Sequence, residues 1–135
     1  MQSGHLTVLF YSIYMAKVIL IVEDYEDTRE LMKFLLEKHG YQVIEASDGI
    51  EAIERFKKIH PDLILMDISL PIVDGLTATK AIRESNKGER IPIIAITAFG
   101  NLYLEKAMEA GCNELLNKPL DIDSLETVLG RYLNN

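Results

Sequence analysis

An α/β fold, a doubly wound five-stranded parallel sheet, is predicted by three features of the chain. Short apolar runs alternate with stretches of helical period, the pattern of consecutive βαβ units. Four of the runs end on polar groups, Glu23-Asp24, Asp67, Thr97 and Lys118, at what would be the carboxyl edge of the sheet. Open α/β sheets place their ligands at that edge. The length of 135 residues, 48% of them hydrophobic, suits one domain with one core and leaves no room for a second, output domain.

The elements follow in order. Lys17-Val18-Ile19-Leu20-Ile21-Val22 predicts strand one, and Leu31, Met32, Leu35 and Leu36 predict the buried stripe of a helix over about 25–39, with Gly40 as its C-terminal stop. Gln42 to Glu45 predicts a short second strand. Asp48 with Glu51 three residues on reads as a capping box for a helix that buries Ala52, Ile53 and Phe56 and ends at His60-Pro61. Asp62 to Asp67 predicts strand three, and the Pro71 to Gly75 punctuation leads to a helix through Leu76, Thr79 and Ile82 or Arg83. Pro92 to Ile96, ending on Thr97, predicts strand four, followed by a helix from about Asn101 to Ala110 capped by Gly111. Glu114 to Asn117 predicts strand five, and a last helix from Asp121 or Asp123 buries Ile122, Leu125, Leu129 and Tyr132. Right-handed crossovers then put helices on both faces of a flavodoxin-like sheet of order 2-1-3-4-5.

Composition narrows the function. Lys and Arg number 14 against 21 Asp and Glu, and the net charge of −7 with no basic patch argues against direct DNA binding. Cys112 is the single cysteine, which suits a reducing compartment, so a cytoplasmic location is expected. Residues 1–14 contain an apolar stretch from Leu6, too short for a membrane span and without the positive flank of a secretory signal. No membrane insertion is expected. Met15-Ala16-Lys17 reads as a start ahead of strand one, which divides the chain into an N-terminal extension, 1–14, without an assigned role, and a domain, 15–135.

Taken singly, the polar strand ends are ordinary. An Asp there is usually a helix cap, and a lone Lys is usually solvated. Their coincidence on strands one, three, four and five is what points to a site. Glu23, Asp24 and Asp67 crowded together repel, each like pair costing about 4 kcal/mol at ~4 Å under an effective dielectric of ~20. A divalent cation resolves that repulsion, and an all-oxygen set is the preference of Mg2+. No zinc pattern competes, because Cys112 stands alone and His5, His39 and His60 lack ligand spacing. With charge so balanced, Asp67 is a plausible nucleophile toward a phosphoryl group, and Lys118 and Thr97 can serve phosphoryl oxygens.

Ile21-Val22-Glu23-Asp24, Leu65-Met66-Asp67-Ile68-Ser69-Leu70-Pro71 with Asp74-Gly75, Ile96-Thr97-Ala98 and Lys118-Pro119 together resemble the receiver domain of two-component response regulators. The resemblance runs from Met15 to Leu133, and as a set at these spacings the motifs are highly specific. It implies that Asp67 accepts phosphate from a histidine kinase or histidine phosphotransfer protein, with Thr97 and Lys118 contacting the phosphoryl group. It implies Mg2+ bound by Asp24, Asp67 and the Ser69 backbone carbonyl, with Glu23 acting largely through a metal-bound water. It also implies a cis Lys118-Pro119 bond, and a phosphoacceptor signalling protein that catalyses only its own phosphotransfer and dephosphorylation. Regulators of the chemotaxis or cell-cycle type, a receiver with nothing appended, look most similar.

Output is expected as altered protein binding at the face of helix four, strand five and helix five, where Leu102, Tyr103, Leu104 and Leu115 are candidates. For Tyr103 and Leu115, core packing is an equal expectation. Whether the phosphoform dimerises through this face stays open. Leu115 stands where many receivers hold Tyr or Phe, and the stretch from Thr97 to Lys118 is one residue shorter than in many relatives. Ser69 and Phe99 resemble the positions that tune dephosphorylation, and neither can orient an attacking water, which implies a long-lived phosphoform. Two rivals fail on residues. A haloacid-dehalogenase-like enzyme needs an acid where Ser69 stands, and a flavin carrier needs a phosphate loop where Glu23 to Asp27 is acidic. A receiver-like binding module independent of phosphorylation is the remaining alternative.

Overall fold

The computed structural model describes residues 16–133 apart from 86 and 89. The assignment of residues 1–14 as an extension lies outside the described residues. Five strands, β1 (Val18–Val22), β2 (Gln42–Ala46), β3 (Leu63–Asp67), β4 (Ile93–Thr97) and β5 (Glu114–Asn117), form one sheet of order β2-β1-β3-β4-β5. Every neighbouring pair is parallel. The α-helices are α1 (Glu26–Lys38), α2 (Gly49–Ile59), α3 (Gly75–Glu84), α4 (Leu104–Ala110) and α5 (Ile122–Leu133). The predicted topology is the observed one.

Alternation along the strands separates two cores. Leu20, Val22, Ile64, Met66, Ile93 and Ala95 pack with Ala52 and Phe56 of α2, Ala78 and Ile82 of α3 and Ala107 of α4. Ile19, Ile21, Leu63, Leu65, Ile94 and Ile96 pack on the other face with Met32 and Leu36 of α1 and Leu125, Val128, Leu129 and Leu133 of α5. Covered on both faces, β3 and β4 are buried at every position, which explains why each reads as a continuous apolar run rather than an alternating one.

Local chemistry differs from expectation in four places. Leu31 and Leu35 belong to neither core: α1 turns Met32 and Leu36 inward, whereas Leu31, 59% exposed, and half-buried Leu35 line a groove on its flank. The α2 cap is displaced by one residue on its return arm. Asp48 accepts from the Glu51 amide at 2.8 Å, but the Glu51 carboxylate reaches the amide and hydroxyl of Ser47, at 3.2 and 3.0 Å, instead of the Asp48 amide. The fourth helix begins as a 3-10 turn over Gly100–Tyr103, and only Leu104–Ala110 is α-helical. Gly100 opens this turn with φ +61°, a backbone conformation glycine adopts without strain, and Phe99 before it supplies no side-chain cap. In α5, Asp121 caps through the Ser124 amide at 2.8 Å, and Val128 and Leu133 are buried, whereas Ile122 and Tyr132 are only partly covered.

Candidate functional site

The strand order brings the carboxyl ends of β1 and β4 to either side of β3, with β5 beyond β4. Parity does the rest. Residues 19, 21 and 23, residues 63, 65 and 67, and residues 116 and 118 alternate in step with the α1/α5 core, so Glu23, Asp67 and Lys118 share the edge of one face. The Lys118 ammonium lies 2.7 Å from Glu23 Oε1 and 2.7 Å from Asp67 Oδ2. Both carboxylates are buried, Glu23 at 1% exposure and Asp67 at 3%, whereas Asp24 is exposed. One oxygen from each of Glu23, Asp24 and Asp67 lies within 4.8 Å of the others. This donor set, carboxylate oxygens only, fits a hard divalent cation such as Mg2+.

Each buried oxygen has a fixed partner. Asp67 Oδ1 accepts from the Ser69 amide at 2.9 Å, and Glu23 Oε2 accepts from the Tyr25 amide at 3.0 Å. Burial alone would lower the pKa of Lys118, but its hydrogen bonds to Asp67 and Glu23 prevail and hold it above the ordinary lysine value, so the ammonium keeps its charge. Gly75 lies directly on Asp67: a Cβ there would come within 2.0 Å of the Asp67 carbonyl oxygen. Asp74 caps α3 through the Thr77 amide at 2.9 Å, and the Gly75 amide donates to the Ile68 carbonyl at 3.0 Å, so the loop after β3 folds back over the strand end.

Thr97 is placed differently. It ends β4 on the parity of Ala95, which belongs to the other core, and is 1% exposed. Its hydroxyl accepts from the Phe99 amide at 3.1 Å, while its carbonyl accepts from the Lys118 amide at 2.8 Å. Four of the predicted side chains therefore meet directly, and Thr97 borders them. Ser69, exposed, contributes its amide to Asp67. The Lys118-Pro119 bond is cis, as the resemblance implies.

Beyond the acidic pocket an apolar groove of about 340 Å³ runs between α1 and the start of α5, lined by Thr28, Leu31, Leu35, Pro119 and Leu120 and touching the site at Lys118. On the opposite flank Leu102 is 72% and Leu104 40% exposed, while Tyr103 and Leu115 are half-buried against the core, with Phe99 edge-on to Tyr103 at 5.8 Å. Arg29 donates to the Glu23 carbonyl at 2.9 Å and pairs with Glu45 at 3.2 Å, contacts not legible in the sequence, where a mid-helix Arg and a strand Glu read as solvated. Among the described residues no helix is long and apolar enough to cross a membrane.

Comparison with known proteins gives a consistent answer. The response regulator receiver domain model matches residues 19–130. The polar-differentiation response regulator DivK of Brucella ovis is 38% identical over 122 residues, covering 90% of this chain and 99% of that protein. The receiver domain of the sensor histidine kinase PA1611 from Pseudomonas aeruginosa, solved with a magnesium ion coordinated in its active-site cleft, superposes with a TM-score of 0.83 at 37% identity, over 89% of this chain and 99% of that one. The receiver domain in the co-crystal of the Saccharomyces cerevisiae histidine phosphotransfer protein Ypd1 with Ssk1 is similar at a TM-score of 0.79 and 31% identity, over 87% of this chain and 88% of that one. The chain belongs to the response regulator receiver domain family.

Proposed function

We propose that Asp67 is the phosphoacceptor of a response regulator that takes its phosphoryl group from a histidine kinase or histidine phosphotransfer protein. The observation that carries this reading is the Lys118 ammonium held 2.7 Å from Asp67 Oδ2 inside a cluster of three carboxylates. An Asp67 carboxylate oxygen attacks phosphorus, the O–P bond forms, and the N–P bond to the donor histidine breaks with its electron pair returning to the imidazole. The transition state is loose, so the protein positions groups and balances charge. Lys118, already cationic, offers a point charge to a phosphoryl oxygen, and the Thr97 hydroxyl donates to another. Glu23, Asp24, Asp67 and the Ser69 carbonyl would hold Mg2+, which supplies positive charge against the phosphoryl oxygens. The ion in the cleft of the PA1611 receiver supports that assignment.

The Ypd1–Ssk1 pairing supports a phosphohistidine protein as donor. The DivK relative, a response regulator matched over 99% of its length, supports the response-regulator reading. Thr97 moving toward the phosphoryl group would free space beside α4 and alter the face of α4, β5 and α5, where exposed Leu102 and Leu104 would meet a downstream protein or a second phosphorylated copy. Turnover is confined to the protein's own phosphorylation and dephosphorylation. Intact-mass analysis after incubation with acetyl phosphate and Mg2+ tests the reading. One added phosphoryl group is expected, lost in Asp67→Asn and in metal-free buffer. No addition from acetyl phosphate or from a phosphohistidine donor would leave a phosphorylation-independent binding module in its place.

A further inference from the structure

Arg29 of α1 lies outside the acidic cluster, yet it is tied to the backbone that carries it. Its NH1 donates to the Glu23 carbonyl at 2.9 Å, and its Nε pairs with Glu45 Oε1 of the edge strand β2 at 3.2 Å. The Glu23 carbonyl belongs to the peptide that joins Glu23 to Asp24. The preceding peptide is held by the Glu23 amide on the Ala46 carbonyl at 3.0 Å, and the following one by the Tyr25 amide on Glu23 Oε2. Three consecutive peptides are thereby fixed, and Arg29 holds the middle one.

That matters most for Asp24. Its carboxylate is exposed and accepts none of the hydrogen bonds among the described residues, so no side-chain contact orients it and the backbone is what places its Cα beside Glu23 and Asp67. Glu45 in turn is oriented from both sides, by Arg29 and by Lys33 at 3.4 Å, and its carbonyl accepts from Arg55 Nε at 3.3 Å. Arg29 meets the carbonyl and the carboxylate with two different nitrogens of one planar fork, Nη1 and Nε, whereas a lysine would have to reach both from a single nitrogen.

The geometry points to Arg29 as a positioning residue that, braced by Glu45, holds the Glu23–Asp24 peptide in the orientation a divalent cation needs. This rests on the reading of Glu23, Asp24 and Asp67 as the cation site. It makes an effect opposite in sign to plain electrostatics. Removing a nearby cation should tighten binding of a divalent ion by an acidic cluster, whereas releasing the peptide should weaken it.

The test is a Mg2+ titration of the full chain followed by amide NMR shifts, with wild type, Arg29→Gln, Arg29→Lys and Lys38→Gln. Arg29→Gln is expected to weaken Mg2+ about tenfold, the usual scale for losing a group that orients a ligand. Arg29→Lys should also weaken it although the charge is kept, and Lys38→Gln, which removes a cation from the same helix but touches neither Glu45 nor the Glu23 carbonyl, should not. Saturating Mg2+ should restore acetyl phosphate acceptance in Arg29→Gln to the wild-type rate, a rescue that general damage to the fold would not allow. Unchanged or tighter Mg2+ binding in both Arg29 variants would overturn the inference while leaving the phosphoacceptor reading intact. A wild-type chain that does not bind Mg2+ would overturn both.

Discussion

Lys118 Nζ lies 2.7 Å from Asp67 Oδ2 and 2.7 Å from Glu23 Oε1, one ammonium shared by two buried carboxylates from different strands. Removing it leaves both carboxylates buried without a cationic partner. Lys118→Met should therefore lower stability in metal-free buffer by about 3 kcal/mol. Mg2+ should recover part of that loss, because it supplies the missing positive charge. Urea denaturation with and without Mg2+ measures both. A variant as stable as wild type would mean that Asp67 and Glu23 are screened by solvent after all.

The same pairing fixes a pH dependence. The folded-state pKa of Lys118 is raised, so its contribution to stability is complete below the ordinary lysine value of 10.5 and is lost as pH rises through the folded value. The stability gap between wild type and Lys118→Met should stay constant from neutral pH up to that range and narrow above it. Thermal melts of both proteins across alkaline pH would show the narrowing. A gap that widens with pH contradicts the sign.

Gly75→Ala should damage the site through the backbone. The added methyl would meet the Asp67 carbonyl oxygen at 2.0 Å, and no flexible side chain is there to give way. A loss of about 1–3 kcal/mol is expected on the scale of overpacking, with slower phosphoryl acceptance because the Asp67 strand end must shift. Denaturant midpoints and intact-mass time courses test the two parts.

Two leucines on α1 should behave oppositely. Leu31 is 59% exposed and Leu36 1%. Leu36→Ala should cost about 2–5 kcal/mol, whereas Leu31→Ala should change stability by no more than ~0.5 kcal/mol. Equal losses would show that Leu31 is packed in solution.

The phosphoform should decay slowly when no phosphatase is present. Ser69 carries neither an amide nor an acid to orient water, and Phe99 stands two residues beyond Thr97. Mass spectra taken after removal of the donor give the lifetime, and Ser69→Asn is expected to shorten it. A wild-type half-life of seconds would refute the prediction.

The sequence by itself determined the strands, their parallel order and the gathering of Glu23, Asp24, Asp67 and Lys118 at one edge. The physical reason is that burial on both faces forces continuous apolar runs in β3 and β4, and parallel topology sends the residues after such runs to one edge. Asp67 and Lys118 could be read because each follows its run directly. Tertiary structure decided what depends on orientation and distance. It placed Leu31 outside the core, since helical spacing does not say where the buried stripe ends. It sent the Glu51 carboxylate to Ser47, turned the start of the fourth helix into a 3-10 turn, and engaged the Thr97 hydroxyl with Phe99. It also brought Arg29 onto the Glu23 carbonyl and onto Glu45, 16 residues away in sequence. No local pattern encodes such a contact, because its partners are a backbone carbonyl, which every residue has, and a charge that alone would read as solvated.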